Sequence, residues 1–397
     1  VIKRILSLFS WLVATILLLF TIRRWLFTLV AFLSGREPFG PTDLGSKLPS
    51  VLLLVPVRNE ASALPELLPA LEGLLYPQQK LTLVFIDDKS TDDSVALLKP
   101  WTNRKDNWHL LLLPENLGKA NALNTALTEF PSGDIIAIYD ADERPQPDTL
   151  HQLVLPFADD RVGAVSGRRA VSNGLNSPAA SYTTFEGLVH QLITMRAKDR
   201  LKLAPAILGA NCAYRRTALA EVGYFKPRAL LEDSDLTLKL TRAGWHIRFE
   251  PAAVSYHRVP ETVLGYWKQH TRWARGFNEV AKEQAGLLIL DRRLSLPLRL
   301  ELLLFSLGYL DRLALLAGVG LALAKNRWMA WMVALSLLTP FLQILVALKI
   351  GKEPIALWWR VLWLPLFFGL DLAMAVTGFW KTLRRAPQIW EERQVRE

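Results

Sequence analysis

Between Ile5 and Ile22 the chain runs for 18 residues without a charge. That is about the length needed to cross a bilayer. Arg23 and Arg24 follow, then the apolar stretch Trp25–Leu33. No small-residue cleavage pattern follows, so a membrane helix is expected here rather than a removed signal peptide. Three further apolar segments lie near 302–324, 328–350 and 357–380, with Trp328, Trp331, Trp358, Trp359 and Trp380 near their ends, where an aromatic belt would sit. The first contains Asp311 and Arg312, and the third contains Arg360 and Asp371. Charge at such depth is costly, so these side chains should face protein or a polar cavity. Arg292, Arg293, Arg299 and Glu301 alternate with leucines, as in a helix lying on a membrane surface.

Between these ends the chain reads as a globular domain of alternating strand and helix. Val51–Val57 is a continuous apolar run, as expected for a strand buried on both faces. Ala61–Leu75 has helical spacing, Leu81–Ile86 is a second strand, Trp108–Leu113 a third, Lys119–Thr128 a helix and Ile135–Tyr139 a fourth strand. This alternation predicts a mostly parallel sheet, with Val162–Val171 as an edge strand. Beyond residue 182 the period becomes helical, with a short extended piece at Leu208–Tyr214 and a longer helix from Glu261 to about Glu283.

The net charge of +10 gathers beside the apolar segments, at Arg23–Arg24, Arg292–Arg293 and Lys381 with Arg384–Arg385. This suits anionic headgroups on a cytoplasmic leaflet. No basic patch interleaved with aromatics occurs in the middle domain, which argues against a nucleic-acid partner. Cys212 is the only cysteine, which excludes a disulfide scaffold and a cysteine-based zinc site. No Gly-x-Gly-x-x-Gly follows the first strand, which disfavours an oxidoreductase.

The chemistry-bearing residues sit at strand ends. The fourth strand ends at Asp140-Ala141-Asp142, two carboxylates at the carboxyl edge of a sheet, where ligands bind in open α/β folds. Hard oxygen ligands there suit Mg2+ or Mn2+ holding substrate phosphates. Asp87-Asp88 ends the second strand and can accept hydrogen bonds from a nucleobase or ribose. Asn116-Leu117-Gly118-Lys119 makes a turn before a helix, a setting that favours phosphate. Glu232-Asp233 opens another helix; it is either a charged helix cap or a general base tuned by its neighbours. Gln269, Arg272 and Trp273 fall at i, i+3 and i+4 of a helix and share one face. That face could stabilise a departing phosphate or lie against a membrane.

Taken in order, these residues resemble the membrane-bound family 2 glycosyltransferases. The matching pattern is Pro56-Val-Arg-Asn59-Glu60, Asp87-Asp88-Lys-Ser90-Thr-Asp92, Gly118-Lys119, Asp140-Ala-Asp142, Gly209-Ala-Asn211 with Tyr214-Arg215-Arg216, Glu232-Asp233 and Gln269-His-Thr-Arg272-Trp273. It covers about residues 50–285, and the flanking apolar segments are similar to those of cellulose, hyaluronan and ceramide-glucoside synthases. The resemblance implies an α/β GT-A fold (a Rossmann-like mixed, mostly parallel sheet) flanked by transmembrane helices. It also implies a nucleotide-sugar donor, with a UDP-sugar as the leading expectation. Asp88 would contact the base, Asp140 would hold the diphosphate region, Asp142 would bind the metal, and Asp233, beside Glu232, would be the catalytic base. Gln269, Arg272 and Trp273 would bind the diphosphate and line the acceptor site, and Lys119 and Glu60 would belong to the donor site.

One base and no evident nucleophile imply a single displacement with inversion. Polymer synthases of the family usually show Gln-Gln or Gln-Arg where this chain has Gln269-His270. The expected reaction is therefore transfer of one hexose to a hydroxyl on a membrane lipid or isoprenoid-type acceptor. A processive polysaccharide synthase is the alternative, and a non-catalytic subunit of a membrane assembly is the alternative from another class. The expected organisation is a membrane helix over 1–36, a catalytic domain over 48–285, an interfacial helix over 286–300, membrane segments over 301–382 and a basic tail over 383–397. The expected setting is the plasma (inner) membrane with the catalytic domain in the cytoplasm. Residue 1 would then lie outside. Three C-terminal crossings would put Lys381–Arg385 outside as well, against the positive-inside tendency.

Overall fold

The computed structural model describes residues 2–34, 48–227, 232–308 and 310–384. Most of the tail 383–397, the linker 35–47 and Leu230–Leu231 before the Glu232-Asp233 pair therefore lie outside the described residues. Among the described residues, eight strands form one sheet: β1 Val51–Val57, β2 Leu81–Asp87, β3 Trp108–Leu112, β4 Ile135–Ile138, β5 Arg144–Pro145, β6 Val162–Val171, β7 Cys212–Arg215 and β8 His246–His257. Their order is β3-β2-β1-β4-β7-β6-β8-β5. The first four are parallel, β7 is antiparallel to both its neighbours, β8 runs parallel to β6, and β5 is antiparallel to β8.

The uninterrupted apolar run of β1 has the expected cause. Val51, Leu53, Val55 and Val57 pack on one side of the sheet with Leu64, Leu67, Leu68 and Leu98. Leu52 and Leu54 pack on the other with Ala122, Leu123, Ala126 and Leu236. Both faces are covered by helices, so neither set of alternate residues can be polar. The strand order turns back between β1 and β4, and the crevice at such a switch point lies beyond the carboxyl ends of the strands. Asp87 is the last residue of β2, and Glu60, Asp88 and Asp140 follow the ends of β1, β2 and β4.

β6 is not the edge strand that the alternation predicted. It lies between β7 and β8. The twelve residues of β8 carry no clean alternation because Pro251 interrupts them. The β6–β8 register jumps there from Gly167↔Glu250 to Arg168↔Val254. A proline without an N–H is tolerated in such a bulge. Asn211 Nδ2 donates to the carbonyls of Arg168 and Ala253 at 2.9 Å each, and so fills the gap in the ladder.

Among the described residues, three helices are long and apolar enough to cross a membrane: Arg4–Leu33, Arg327–Gly351 and Ile355–Lys381. The first is one helix, Ile2–Leu33, that does not stop at the arginines. It continues because Arg23 meets Glu301 at 2.7 Å and Arg24 pairs with Asp311. The segment expected to cross at 302–324 is not straight: Leu296–Phe305 and Leu310–Leu323 meet at 71°. Residues 286–300 likewise do not form one helix, because Val263–Leu290 ends within them and Leu296–Ser306 begins. The deep charges face protein. Arg312 bonds Asp311 at 3.1 Å and Asp371 at 3.0 Å, and Lys198 meets Glu301 at 3.3 Å.

Candidate active site

Two loops are sewn together beyond β1 and β2. The backbone N–H groups of Asn59, Glu60 and Ala61 donate to Ser90 Oγ, Ser94 Oγ and Asp92 Oδ2 at 3.0, 2.9 and 3.0 Å. Asn59 Oδ1 accepts from the Thr91 N–H at 2.8 Å. The motif residues Asn59, Ser90 and Asp92 thus shape the crevice. Asp88, expected at the nucleobase, is used in the same way. Its two carboxylate oxygens accept the backbone N–H groups of Leu117 and Gly118 at 2.7 and 2.9 Å. Gly118 has φ +78°, which lets the chain turn into the helix Lys119–Glu129. Asp87 differs: its Oδ2 accepts from the Ser90 N–H at 3.2 Å, while Oδ1 is buried without a hydrogen-bond partner.

Lys119, at the start of that helix, reaches across to β4. Its Nζ donates to Asp140 Oδ1 at 2.6 Å and to the Gly209 carbonyl at 2.9 Å, and lies 3.9 Å from Glu232 Oε1. Burial alone would depress its pKa, but Asp140 and Glu232 outweigh burial and raise it, so the ammonium stays charged. On the other side of Asp140, Arg169 Nη2 lies 3.8 Å from Oδ2, and Arg169 Nε donates to the fully buried Glu143 at 2.5 Å. Burial pushes the Glu143 carboxyl up and Arg169 pulls it back.

Gly209 also makes room for the proposed base. It has φ +72°, and a Cβ on it would sit 3.1 Å from Asp233 Oδ2. Asp233 Oδ1 accepts from the Ser234 N–H at 2.7 Å. Burial, and then the neighbouring Glu232, push the Asp233 carboxyl up to about 7. A carboxylate poised there is suited to general-base work near neutral pH.

The structure therefore brings Lys119, Asp140, Glu232 and Asp233 together. Asp142 follows Asp140 by two residues and is half-buried. Gln269, Arg272 and Trp273 sit on the helix Val263–Leu290, which packs against Leu364–Leu383 and Pro178–Leu188. His270, on the same helix, is buried, with Nε2 2.9 Å from Glu186 Oε2 and Nδ1 3.0 Å from the Tyr266 carbonyl. Arg169 and Glu143 went unmarked in the sequence. The available signal was a pair of arginines, Arg168-Arg169, inside an otherwise apolar strand.

Among the described residues, no three His, Cys, Asp or Glu side chains form a group that could hold a metal. The donor set at the end of β4 still fits a hard divalent cation. Mg2+ is commonly held by one or two carboxylates, with substrate phosphates and water completing its shell.

Comparison with known proteins identifies the family and the fold. The family model described as glycosyl transferase family group 2 matches residues 135–370, and one described as glycosyltransferase family 25, N-terminal domain, matches residues 48–112. A probable glycosyltransferase of Bacillus subtilis (strain 168), YdaM, is 33% identical over 234 residues, covering 58% of this chain and 56% of that protein. The poly-beta-1,6-N-acetyl-D-glucosamine synthase of Staphylococcus aureus (strain COL) is 30% identical over 235 residues, covering 59% and 56%. The match thus spans little more than half the length of these relatives. Among solved structures, the mannosyltransferase PcManGT from Pyrobaculum calidifontis, in complex with GDP-Man and Mn2+, has the same fold, with a TM-score of 0.63 at 23% identity over 94% of this chain and 100% of that one. The chain belongs to glycosyl transferase family group 2, and its sheet domain has the GT-A fold.

Proposed function

We propose that the chain is an inverting glycosyltransferase that moves a hexose from a nucleotide-sugar to a hydroxyl of a membrane lipid or isoprenoid-type acceptor. A UDP-sugar is the first donor to test. The observation that carries this reading is Asp233, a carboxyl raised to about 7 beside Glu232 and within reach of the Lys119–Asp140 pair through Gly209. Asp233 accepts the hydroxyl proton as the acceptor oxygen attacks the sugar carbon and the bond to the diphosphate breaks. One displacement inverts that carbon. Asp142 is the proposed ligand for Mg2+ or Mn2+, and Asp140, held by Lys119, is its support. The ion would offset the charge that develops on the nucleoside diphosphate. Lys119, Gln269, Arg272 and Trp273 are proposed to bind the donor, with Glu60 at the crevice wall. Asp87, with its unpartnered oxygen, is proposed to face the base, and Asp88 holds the loop behind it.

The three long apolar helices support a membrane-borne acceptor and a catalytic domain at the cytoplasmic face of the plasma (inner) membrane. A processive polysaccharide synthase is the second reading, favoured by the likeness to the poly-beta-1,6-N-acetyl-D-glucosamine synthase. The carboxylate set argues against a catalytically silent subunit. The test is incubation of membranes containing the chain with a panel of labelled nucleotide-sugars, with Asp233→Asn as control. Product extracted into organic solvent supports the lipid acceptor. Product that stays in water and lengthens would favour the polymer, and equal turnover by Asp233→Asn would sink the base assignment.

A further inference from the structure

A cavity of about 380 Å3 is lined by Arg168 and Arg169, and Arg169 Nη2 lies 3.8 Å from Asp140 Oδ2. Its walls come from β6, from the helix Pro178–Leu188 and the π-helical turn Val189–Met195 that continues it, and from β8. Gly351 and Glu353 close it, and they stand at the end of the apolar helix Arg327–Gly351. Arg169 therefore touches both this space and a carboxylate at the end of β4. The opposite wall is the end of a helix able to span a membrane.

The charge of the lining narrows what can occupy it. Arg169 is bound by Glu143 at 2.5 Å, and Arg168 by Glu353 at 3.1 Å, so each guanidinium already meets a carboxylate. Gln191 spends both ends of its amide on the Arg169 backbone, at 2.7 and 2.9 Å. The neutral polar groups include the Tyr256 hydroxyl and the Gln146 amide, 3.4 Å apart, and the same walls carry Leu188, Leu192, Val171 and Val254. The lining is more polar than apolar and its charges are paired with one another, which suits an uncharged polyhydroxyl group, while Leu188, Leu192 and the end of the helix Arg327–Gly351 offer an apolar tail somewhere to lie.

We propose that this cavity is the acceptor site and that it takes a neutral polyhydroxyl head, such as a sugar ring or glycerol, carried on an apolar tail. The acceptor role rests on the glycosyl-transfer reading; the binding site does not.

The test uses the full chain in lipid nanodiscs and a photoreactive dodecyl glucoside as the probe. Gly187 lines the cavity, and a Cβ on it would meet only Gln191 Nε2, at 3.7 Å. Gly187→Leu therefore fills the space without backbone strain, and leucine favours the helix over glycine. Labelling of the β6 and Pro178–Met195 peptides is expected in the wild type, falling about tenfold in Gly187→Leu at an unchanged or higher Tm. Tyr256→Phe, which removes only the hydroxyl, is expected to weaken labelling several-fold. Unlabelled dodecyl glucoside should compete, whereas dodecyl phosphate and a soluble tetraglucoside should not. Equal labelling of Gly187→Leu, or stronger competition by the phosphate or the free oligosaccharide, overturns the proposal. The acceptor role is read separately from transfer. If transfer proceeds and Gly187→Leu leaves the acceptor KM unchanged, the cavity is not the acceptor site. If labelling persists and no nucleotide-sugar is turned over, the transfer reading fails and takes the acceptor role with it.

Discussion

Lys119 and Asp140 form an ion pair at the carboxyl edge of the sheet, 2.6 Å apart, and the same ammonium holds the Gly209 carbonyl at 2.9 Å. One side chain thus ties β4 to the turn that faces Asp233. Replacing it by a neutral side chain of similar length tests whether this tie organises the site. Lys119→Met is expected to lower kcat/KM about tenfold or more and to cost about 1–3 kcal/mol of stability, the range for hydrogen bonds to charged groups. Donor titration and chemical denaturation check the two effects. Because the Lys119 charge lowers the Asp233 carboxyl, its loss should also move the inflection of the pH–rate profile upward.

The raised Asp233 carboxyl sets the pH dependence. The proposed mechanism requires its base form, so turnover should rise with pH through about 7 and then level off. Asp233→Asn should lower turnover by about two to four orders of magnitude and abolish that inflection. The stability effect has the opposite sense. A carboxyl raised in the folded state favours folding below its unfolded pKa of about 3.9, and that contribution is lost as pH climbs through the folded value. Asp233→Asn should therefore gain stability relative to the wild type more at pH 8 than at pH 5, measured as the difference in Tm.

Gly209 is the test of clearance around the base. Alanine there meets both the left-handed backbone, φ +72°, and Asp233 Oδ2 at 3.1 Å. The backbone cost is about 1–2 kcal/mol. Gly209→Ala should reduce turnover more than that loss of stability would suggest, because the displaced group is Asp233. A variant as active as the wild type would remove Gly209 from the site.

His270 stands where polymer synthases of this family usually carry Gln or Arg, and here it is tied into the packing of two helices. Burial lowers its pKa, but Glu186 at 2.9 Å more than restores it, so the net shift is upward. A histidine raised in the folded state stabilises below its unfolded pKa, about 6.5, and the contribution is lost as pH rises through the folded value. His270→Gln should therefore show its largest deficit in Tm below pH 6.5 and a shrinking deficit above it.

The charges among the apolar helices give a separate prediction. Asp311 is 5% exposed and serves both Arg24 and Arg312. Asp311→Asn takes this buried carboxylate from two half-buried arginines, of which Arg312 keeps Asp371, so the cost should fall below the ~3–5 kcal/mol of breaking a fully buried pair from one side. Loss of folded protein in detergent, at unchanged activity per folded molecule, is the expected pattern.

Much of this molecule is legible along the chain. β1 was visible in full, from Val51 to Val57, because both its faces must be apolar. The helix Lys119–Glu129 and the carboxylates at the ends of β2 and β4 were visible because strand ends and helix starts are local events. β8 was not, because Pro251 breaks its alternation, and without β8 the strand β6 looks like an edge. That Asp88 is the acid that holds the Leu117–Gly118 turn was also hidden. Adjacent acids on a strand look alike until Leu117 and Gly118 present their N–H groups to one of them.

The alternating strand–helix core, the apolar helices around it and the set of acids at the crevice are written locally in the chain, because periodicity, length and turn chemistry act within a few residues. Which charges meet depends on how the folded chain brings distant segments together. Lys119 with Asp140, Arg169 with Glu143, Arg24 with Asp311 and Arg168 with Glu353 join residues far apart in the chain. Among them, Asp140 keeps Lys119 charged despite its burial. Desolvation and Coulomb attraction are set by distance in space, and no spacing along the chain reports that distance.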